Sequence, residues 1–170
     1  MSDIQKSTIG LWVSNISGVL VRIGGVFSRR GHNIDSLNVA TALDSKFAHM
    51  TITCKGPKDG LAQIIKQLDK LVDVIWVKDY SNSQECREAG RVIRESALIR
   101  LCADATNRND LCLVFDTFRA QVVHMDDKTM TIHVNGDSSK IDKLESLIAA
   151  SHNIIDAVRS GLMVLPEIKE

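Results

Sequence analysis

The chain has 170 residues, and its 21 Lys and Arg are balanced by 21 Asp and Glu, which leaves a formal net charge of zero. A neutral chain lacks the excess of cations that nucleic acid or an anionic membrane surface attracts, so neither is an expected partner. Hydrophobic residues make up 44% and charged residues 25% of the chain, as in folded globular proteins. No apolar run is long enough to span a membrane, and residues 1–6 lack the apolar core of a signal peptide, so a cytoplasmic location is expected.

The first half of the chain alternates between the two-residue period of strands and the 3.6-residue period of helices. Gly18 breaks the first strand, and Gly31 is a typical stop signal after the first helix. In chain order the pattern predicts a strand over 8–13, a helix from 19 to 30, strands over 33–42 and 47–55, a loop over 56–60, a helix over 61–71 and a strand over 72–77. This β-α-β-β-α-β order is the ferredoxin-like plan.

The second half repeats this plan in pattern, though not in residue identity. A polar segment without apolar periodicity, residues 81–96, is the predicted linker. After it the pattern predicts a strand over 97–102, a helix from 107 to 118, strands over 120–125 and 129–135, a helix over 138–150, and strands over 154–158 and 162–165. The prediction is therefore an α+β protein with two ferredoxin-like βαββαβ domains in tandem, over 1–80 and 97–170.

The sequence shows no catalytic or metal-binding motif. It has no glycine-rich phosphate loop and no nucleophile elbow. None of the four cysteines forms a C-x-x-C pair, so reduced thiols are expected rather than a metal or redox site. The histidines lack metal-ligand spacing, although His124 and His133 are candidates for neighbouring positions on paired strands. The residues in question are Cys54, Cys86, Cys102 and Cys112, and His32, His49, His124, His133 and His152.

These absences favour a binding or regulatory module over an enzyme, with no catalytic residue, metal or cofactor expected in this chain. A sheet of this plan also binds RNA in some proteins through exposed aromatic residues. With two Trp, one Tyr, four Phe and no net charge, that alternative is disfavoured here.

The segment from Asn15 to Leu20 joins the first predicted strand to the first predicted helix. A helix start presents unpaired N–H groups and the positive end of the helix dipole, which together suit a carboxylate. Gly18 would let a ligand approach the backbone, and the Asn15 amide could bind either polar end of an amino acid. Val19 and Leu20 suit an aliphatic side chain. The alternative is that Asn15 or Ser17 simply caps the helix.

At this point the residues resemble a known family, the small regulatory subunit of acetohydroxyacid synthase, also called acetolactate synthase. The resemblance covers nearly the whole chain in the right order. It is carried by the pattern N-x-S-G-V-L-x-R over 15–22, by G-V-F-S-R-R-G-H-N-I-D-S-L over 25–37, by 66–74, and in the second half by 118–123 and 159–161.

The resemblance implies that the first domain is an ACT domain, that two such domains pair in a homodimer, and that valine binds at their interface. It implies a separate catalytic subunit as partner, which carries thiamine diphosphate, magnesium and FAD, none of them in this chain. Leucine and isoleucine are further candidate effectors, because a pocket distinguishes one methylene by only about 1–3 kcal/mol. The implied effector contacts are Asn15 of one chain, Asn33 of its partner and Gly18, with Val19, Leu20 and Ile34 beside them.

Ile16 departs from the family pattern, which commonly has an acidic residue at this position. We expect the loss of that charge to weaken attraction for the ammonium group of an effector. Two other hypotheses remain open: a free-standing amino-acid sensor that acts on an unrelated partner, and an autonomous small enzyme, which the absence of a catalytic set disfavours.

Overall fold

A computed structural model describes residues 4–82, 92–151 and 153–165. They form two compact units, one comprising the chain up to Ile93 with the residues from Gly161 onward, the other Arg94–Ser160. The strands are β1 (Ile4–Ser14), β2 (Ile34–Thr41), β3 (Phe47–Pro57), β4 (Val74–Asp79), β5 (Val92–Cys102), β6 (Gln121–Met125), β7 (Thr129–Gly136), β8 (Ile154–Arg159) and β9 (Met163–Leu165). The helices are α1 (Val19–Arg29), α2 (Lys58–Leu68), α3 (Arg108–Phe118) and α4 (Ser138–Ser151).

The first unit is an antiparallel four-stranded sheet in the order β2-β3-β1-β4, with α1 and α2 packed on one face. Alternate residues of β1 point to the helices, which is why Ile9, Leu11 and Val13 are buried. The helices bury the residues that recur every three or four positions, as amphipathic helices do. From α1 these are Val19, Ile23, Val26 and Phe27, and from α2 Leu61, Ile64 and Leu68.

The second unit repeats this arrangement with β6-β7-β5-β8 in the same relative order. Its core again combines alternate strand residues with one face of each helix, and Ile99, Ile132, Phe115 and Leu144 are at most 1% exposed. The predicted tandem of α+β ferredoxin-like units is therefore confirmed.

Several predicted boundaries are wrong. The first strand, predicted from residue 8, begins at Ile4, and α2 spans Lys58–Leu68 rather than 61–71. The predicted loop over 56–60 is absent because Gly56 and Pro57 continue β3, paired with Gln5 and Ile4, and α2 begins at the next residue. The strand predicted from residue 72 begins at Val74. The strand predicted from residue 97 begins at Val92, within the segment predicted as linker, of which residues 83–91 lie outside the described residues.

None of the helices in the described ranges is long and apolar enough to cross a membrane.

Candidate functional site

The connection from β1 to α1 is a tight turn that ends in a glycine of positive φ. Gly18 is the N-cap residue, with φ 82° and ψ −6°, a left-handed conformation that costs a residue with a side chain about 1–2 kcal/mol. No side chain caps the helix, so the alternative that Asn15 or Ser17 serves as the cap is wrong. The start of α1 is therefore free of its own side-chain acceptor.

The first turn of α1 offers backbone donors to a ligand. The Val19 N–H donates to Ile16 O at 3.4 Å, and the Arg22 N–H donates to Gly18 O at 3.1 Å. Between them, the N–H groups of Leu20 and Val21 precede the helical hydrogen-bond ladder and donate to no acceptor among the described residues. This is the arrangement that binds a carboxylate at a helix start.

Asn15 is fixed against the hairpin that joins β2 to β3. Its backbone N–H donates to Lys46 O at 2.7 Å, and its side-chain Nδ2 donates to Ser45 O at 2.9 Å. The side-chain oxygen Oδ1 is thereby oriented away from that carbonyl and remains an acceptor for a ligand N–H. The predicted effector residues at the β1–α1 turn therefore lie beside the β2–β3 hairpin, at one end of the sheet.

The predicted apolar contacts at this turn differ in exposure. Val19 is buried in the core at 7% exposure, whereas Leu20 is 45% and Ile16 53% exposed. Val19 therefore packs into the core and stabilises the turn, whereas Leu20 is exposed where a ligand side chain could contact it.

Asn33 and Ile34 lie at the opposite end of the same sheet. Ser14 pairs with Phe47, at the start of β3, while Ile34 pairs with Cys54, near its end. Seven residue steps along β3 separate these positions, which corresponds to roughly 23 Å at 3.3 Å per residue. One chain therefore does not bring Asn33 to Asn15, and a single amino acid cannot touch both residues of the same chain.

Sequence reasoning assigned no role to an ion pair beside the turn. The Arg22 side chain, which follows Gly18 by four residues, runs back over the first turn, and its Nη1 lies 3.0 Å from the position of a Cβ added to Gly18. Its Nε donates to Asp73 Oδ2 at 2.5 Å. Asp73 O accepts from Ser14 N at 2.9 Å, which ties the α2–β4 connection to the end of β1. The i, i+4 spacing of Gly18 and Arg22 is the sequence signal that places Arg22 over Gly18. No sequence pattern indicates the contact with Asp73, which is 51 residues away.

The alternative metal and redox readings find no support in the described residues. No three His, Cys, Asp or Glu side chains in these ranges lie together as metal ligands, and Cys86 and His152 lie outside them. Burial raises the pKa of the Cys54 thiol to about 11, which keeps it protonated and unreactive at neutral pH. His124 and His133 do lie on paired strands, but His133 contacts Ser96 and His124 lies near Asp126, so each has a different partner.

The face of the first sheet opposite the helices carries an aromatic cluster. Trp12 stacks on Phe47 at a ring-centroid distance of 5.6 Å and meets the edge of His49 at 4.1 Å. Burial in this cluster lowers the pKa of His49 and so disfavours its charged form. The three rings pack on one another at this face of the sheet.

Two family models match this chain. Residues 9–76 match the family model described as the acetohydroxyacid synthase small subunit-like ACT domain, and residues 94–167 match the model for the small subunit of acetolactate synthase. The acetolactate synthase small subunit of Haemophilus influenzae is 36% identical over 159 residues, covering 94% of each chain. The chain belongs to the family of acetolactate synthase small subunits.

Other members of the family agree. The chloroplastic small subunit 2 of Arabidopsis thaliana is 37% identical over 95% of this chain, which spans 32% of that longer protein. The crystal structure of the acetolactate synthase small subunit from Thermotoga maritima superposes with a TM-score of 0.79 at 25% identity, covering 98% of this chain and 99% of that one. The predicted family and its ACT domain are confirmed.

Proposed function

We propose that this chain activates the thiamine diphosphate-dependent catalytic subunit of acetolactate synthase and makes it sensitive to valine, bound between the ACT domains of two copies. The thiamine diphosphate, magnesium and FAD belong to the catalytic subunit in this proposal, and the location is cytoplasmic. The main support for a site shared by two copies is that Asn33 and Asn15 of one chain lie at opposite ends of the sheet. This separation follows from the pairing of β2 with β3 and of β3 with β1.

A second copy removes that separation if the two sheets join edge to edge. β2 lies at the edge of its sheet, and its eight residues include no proline. Long, unprotected edge strands of this kind readily pair with another strand. Antiparallel pairing of β2 with its symmetry mate would join the two four-stranded sheets into one.

The direction of that pairing is what matters for the site. In an antiparallel pair the start of β2 lies opposite the end of the partner's β2, where the partner's β2–β3 hairpin begins. Asn15 is hydrogen-bonded to that hairpin through Ser45 and Lys46. Asn33 and Ile34 of one chain would therefore meet Asn15, Gly18 and Leu20 of the other, and the two-fold axis would generate two equivalent sites.

The chemistry of the combined site suits a small aliphatic amino acid. The Leu20 and Val21 N–H groups at the start of α1 would bind the carboxylate, and the two asparagines would bind the polar groups. Leu20 and Ile34, both partly exposed in the single chain, would contact the isopropyl group.

Acetolactate formation by the cognate catalytic subunit tests the proposal. We expect the chain to raise the rate and valine to reverse that increase, because the ligand can shift the complex only through different affinities for its states. The catalytic subunit alone, with and without valine, is the control. Activation without valine sensitivity would remove the effector role, and absence of activation would favour the free-standing sensor.

A further inference from the structure

The guanidinium of Arg22 has donors left over after its ion pair is made. Nε donates to Asp73 Oδ2, and Nε is the only guanidinium nitrogen of Arg22 with a partner among the described residues. Nη1 lies over Gly18, 3.0 Å from the position of an added Cβ. The side chain is 45% exposed, so these donors are open to a ligand.

Asp73 holds the guanidinium in this orientation. Its side chain is only 15% exposed, and its backbone oxygen accepts from Ser14 N at 2.9 Å, so the carboxylate stands on a fixed part of the sheet end. Because the guanidinium is planar, the hydrogen bond from Nε fixes the orientation of its two terminal nitrogens, which can then bind a second, planar partner. The partner that matches this fork is a carboxylate.

We propose that Arg22 binds the effector carboxylate together with the first-turn N–H groups of α1, and that Asp73 is the positioning residue that aims it. This inference rests on the proposed function and deepens it, because it names the residue that selects a ligand with a free carboxylate. It also gives Gly18 a second role: any side chain there meets the Arg22 guanidinium as well as the strain of a positive φ.

The selectivity follows from charge. Backbone N–H groups at a helix start already favour a carboxylate over an amide oxygen, and a guanidinium adds a full positive charge to that preference. Valine and valinamide have the same side chain and α-amino group, and they differ at the carboxyl end alone. The change in their affinity ratio when Arg22 is replaced therefore measures the contribution of Arg22 and is insensitive to losses that affect both ligands equally.

The test is calorimetric titration of the full chain with L-valine and with L-valinamide. For Arg22→Met we expect valine affinity to fall about 10–100-fold, as for loss of a charge-assisted hydrogen bond, while valinamide affinity changes less than about twofold. Arg94→Met is the matched control, since Arg94 Nη1 also contacts a carboxylate, Asp137 Oδ1 at 2.7 Å, in the other unit. It should leave both affinities unchanged.

Two milder variants keep the inference falsifiable should Arg22→Met fail to fold. Asp73→Asn keeps a polar partner but releases the charge that anchors Arg22, and Arg22→Lys keeps the charge without the fork. Both should lower the valine-to-valinamide affinity ratio, in contrast to a purely structural ion pair, whose loss would lower thermal stability and leave the ratio intact.

Valine affinity within about twofold of wild type in Arg22→Met, or an unchanged ratio in the milder variants, overturns the role of Arg22 and leaves the proposed function standing. A wild-type chain that binds none of valine, leucine and isoleucine overturns the proposed effector role and this inference together.

Discussion

In the proposed dimer every effector site combines residues of two chains, so two variants that each weaken effector binding should restore it when mixed. One variant is Asn15→Ala and the other is Asn33→Ala. In a dimer that contains one chain of each kind, one site lacks both asparagines, and the other site has both.

The strand register requires a second chain for each site, and the way the two variants combine into dimers sets the fraction of sites that is restored. Because roughly 23 Å of β3 lies between the two ends of the sheet, no bending of a loop within one chain replaces the second copy. Loss of one hydrogen bond to a charged ligand costs about 1.5–3 kcal/mol, or about 10–150-fold in affinity. Random exchange of equal amounts makes about half of the dimers mixed, so about a quarter of all sites should regain wild-type affinity.

The assay is calorimetric titration of valine into each variant alone and into the mixture after subunit exchange by dilution and reconcentration. The matched control is a mixture of Asn15→Ala with the double variant Asn15→Ala/Asn33→Ala, in which no dimer contains a complete site. Restored high-affinity binding at about a quarter of the sites supports the shared site. A mixture that binds no better than its components, although exchange is shown by mass-tagged chains, refutes the reasoning.

Two further predictions concern stability. Gly10→Ala should destabilise the chain by about 1–3 kcal/mol, because the new Cβ would lie 2.8 Å from Cδ2 of the buried Tyr80 ring. Gly24→Ala in α1, where an added Cβ meets nothing within 4 Å, should stabilise the chain by about 0.5–1 kcal/mol. Urea unfolding measures both changes in the free energy of unfolding, and changes of the same sign would contradict the packing argument. The hydrogen bond from Thr129, with backbone donors, lowers the pKa of Asp126 to about 2 from its ordinary 3.8. Its contribution is therefore present above about pH 4 and lost as pH falls through about 2, so the stability deficit of Asp126→Asn should shrink over that interval in acid unfolding curves, and a deficit independent of pH would contradict the assignment.

The order of the elements was predicted correctly from the sequence. Their boundaries were predicted well where a local signal sets them, and poorly where strand pairing across the sheet sets them. Gly31 ends α1 in a left-handed conformation, φ 65°, as a glycine stop signal predicts. Residues 56–60 read as a loop from composition, yet the ladder between β1 and β3 extends through Pro57, and the fixed φ of proline suits the start of α2 immediately after it.

The candidate site likewise has one part that the sequence indicates and another part that depends on strand pairing. Asn15 and Gly18 are adjacent in sequence, so local physics indicates a ligand site at one turn. That Asn33 lies at the far end of the sheet follows only from the register of two strand pairs, and Asp73 meets Arg22 only because the α2–β4 connection passes the end of β1. Neither relationship has a signature within any short window of residues.

In the proposed dimer, the position of β2 at the sheet edge would also link effector binding to assembly. A ligand whose contacts come from both sides of a β2–β2 junction binds the dimer and not the separated chains, so it stabilises association by mass action. The apparent affinity for the effector should then rise with the concentration of the subunit itself. Under the proposed function, a cell that made less of this protein would weaken valine feedback twice, through fewer subunits and through a lower occupancy of each.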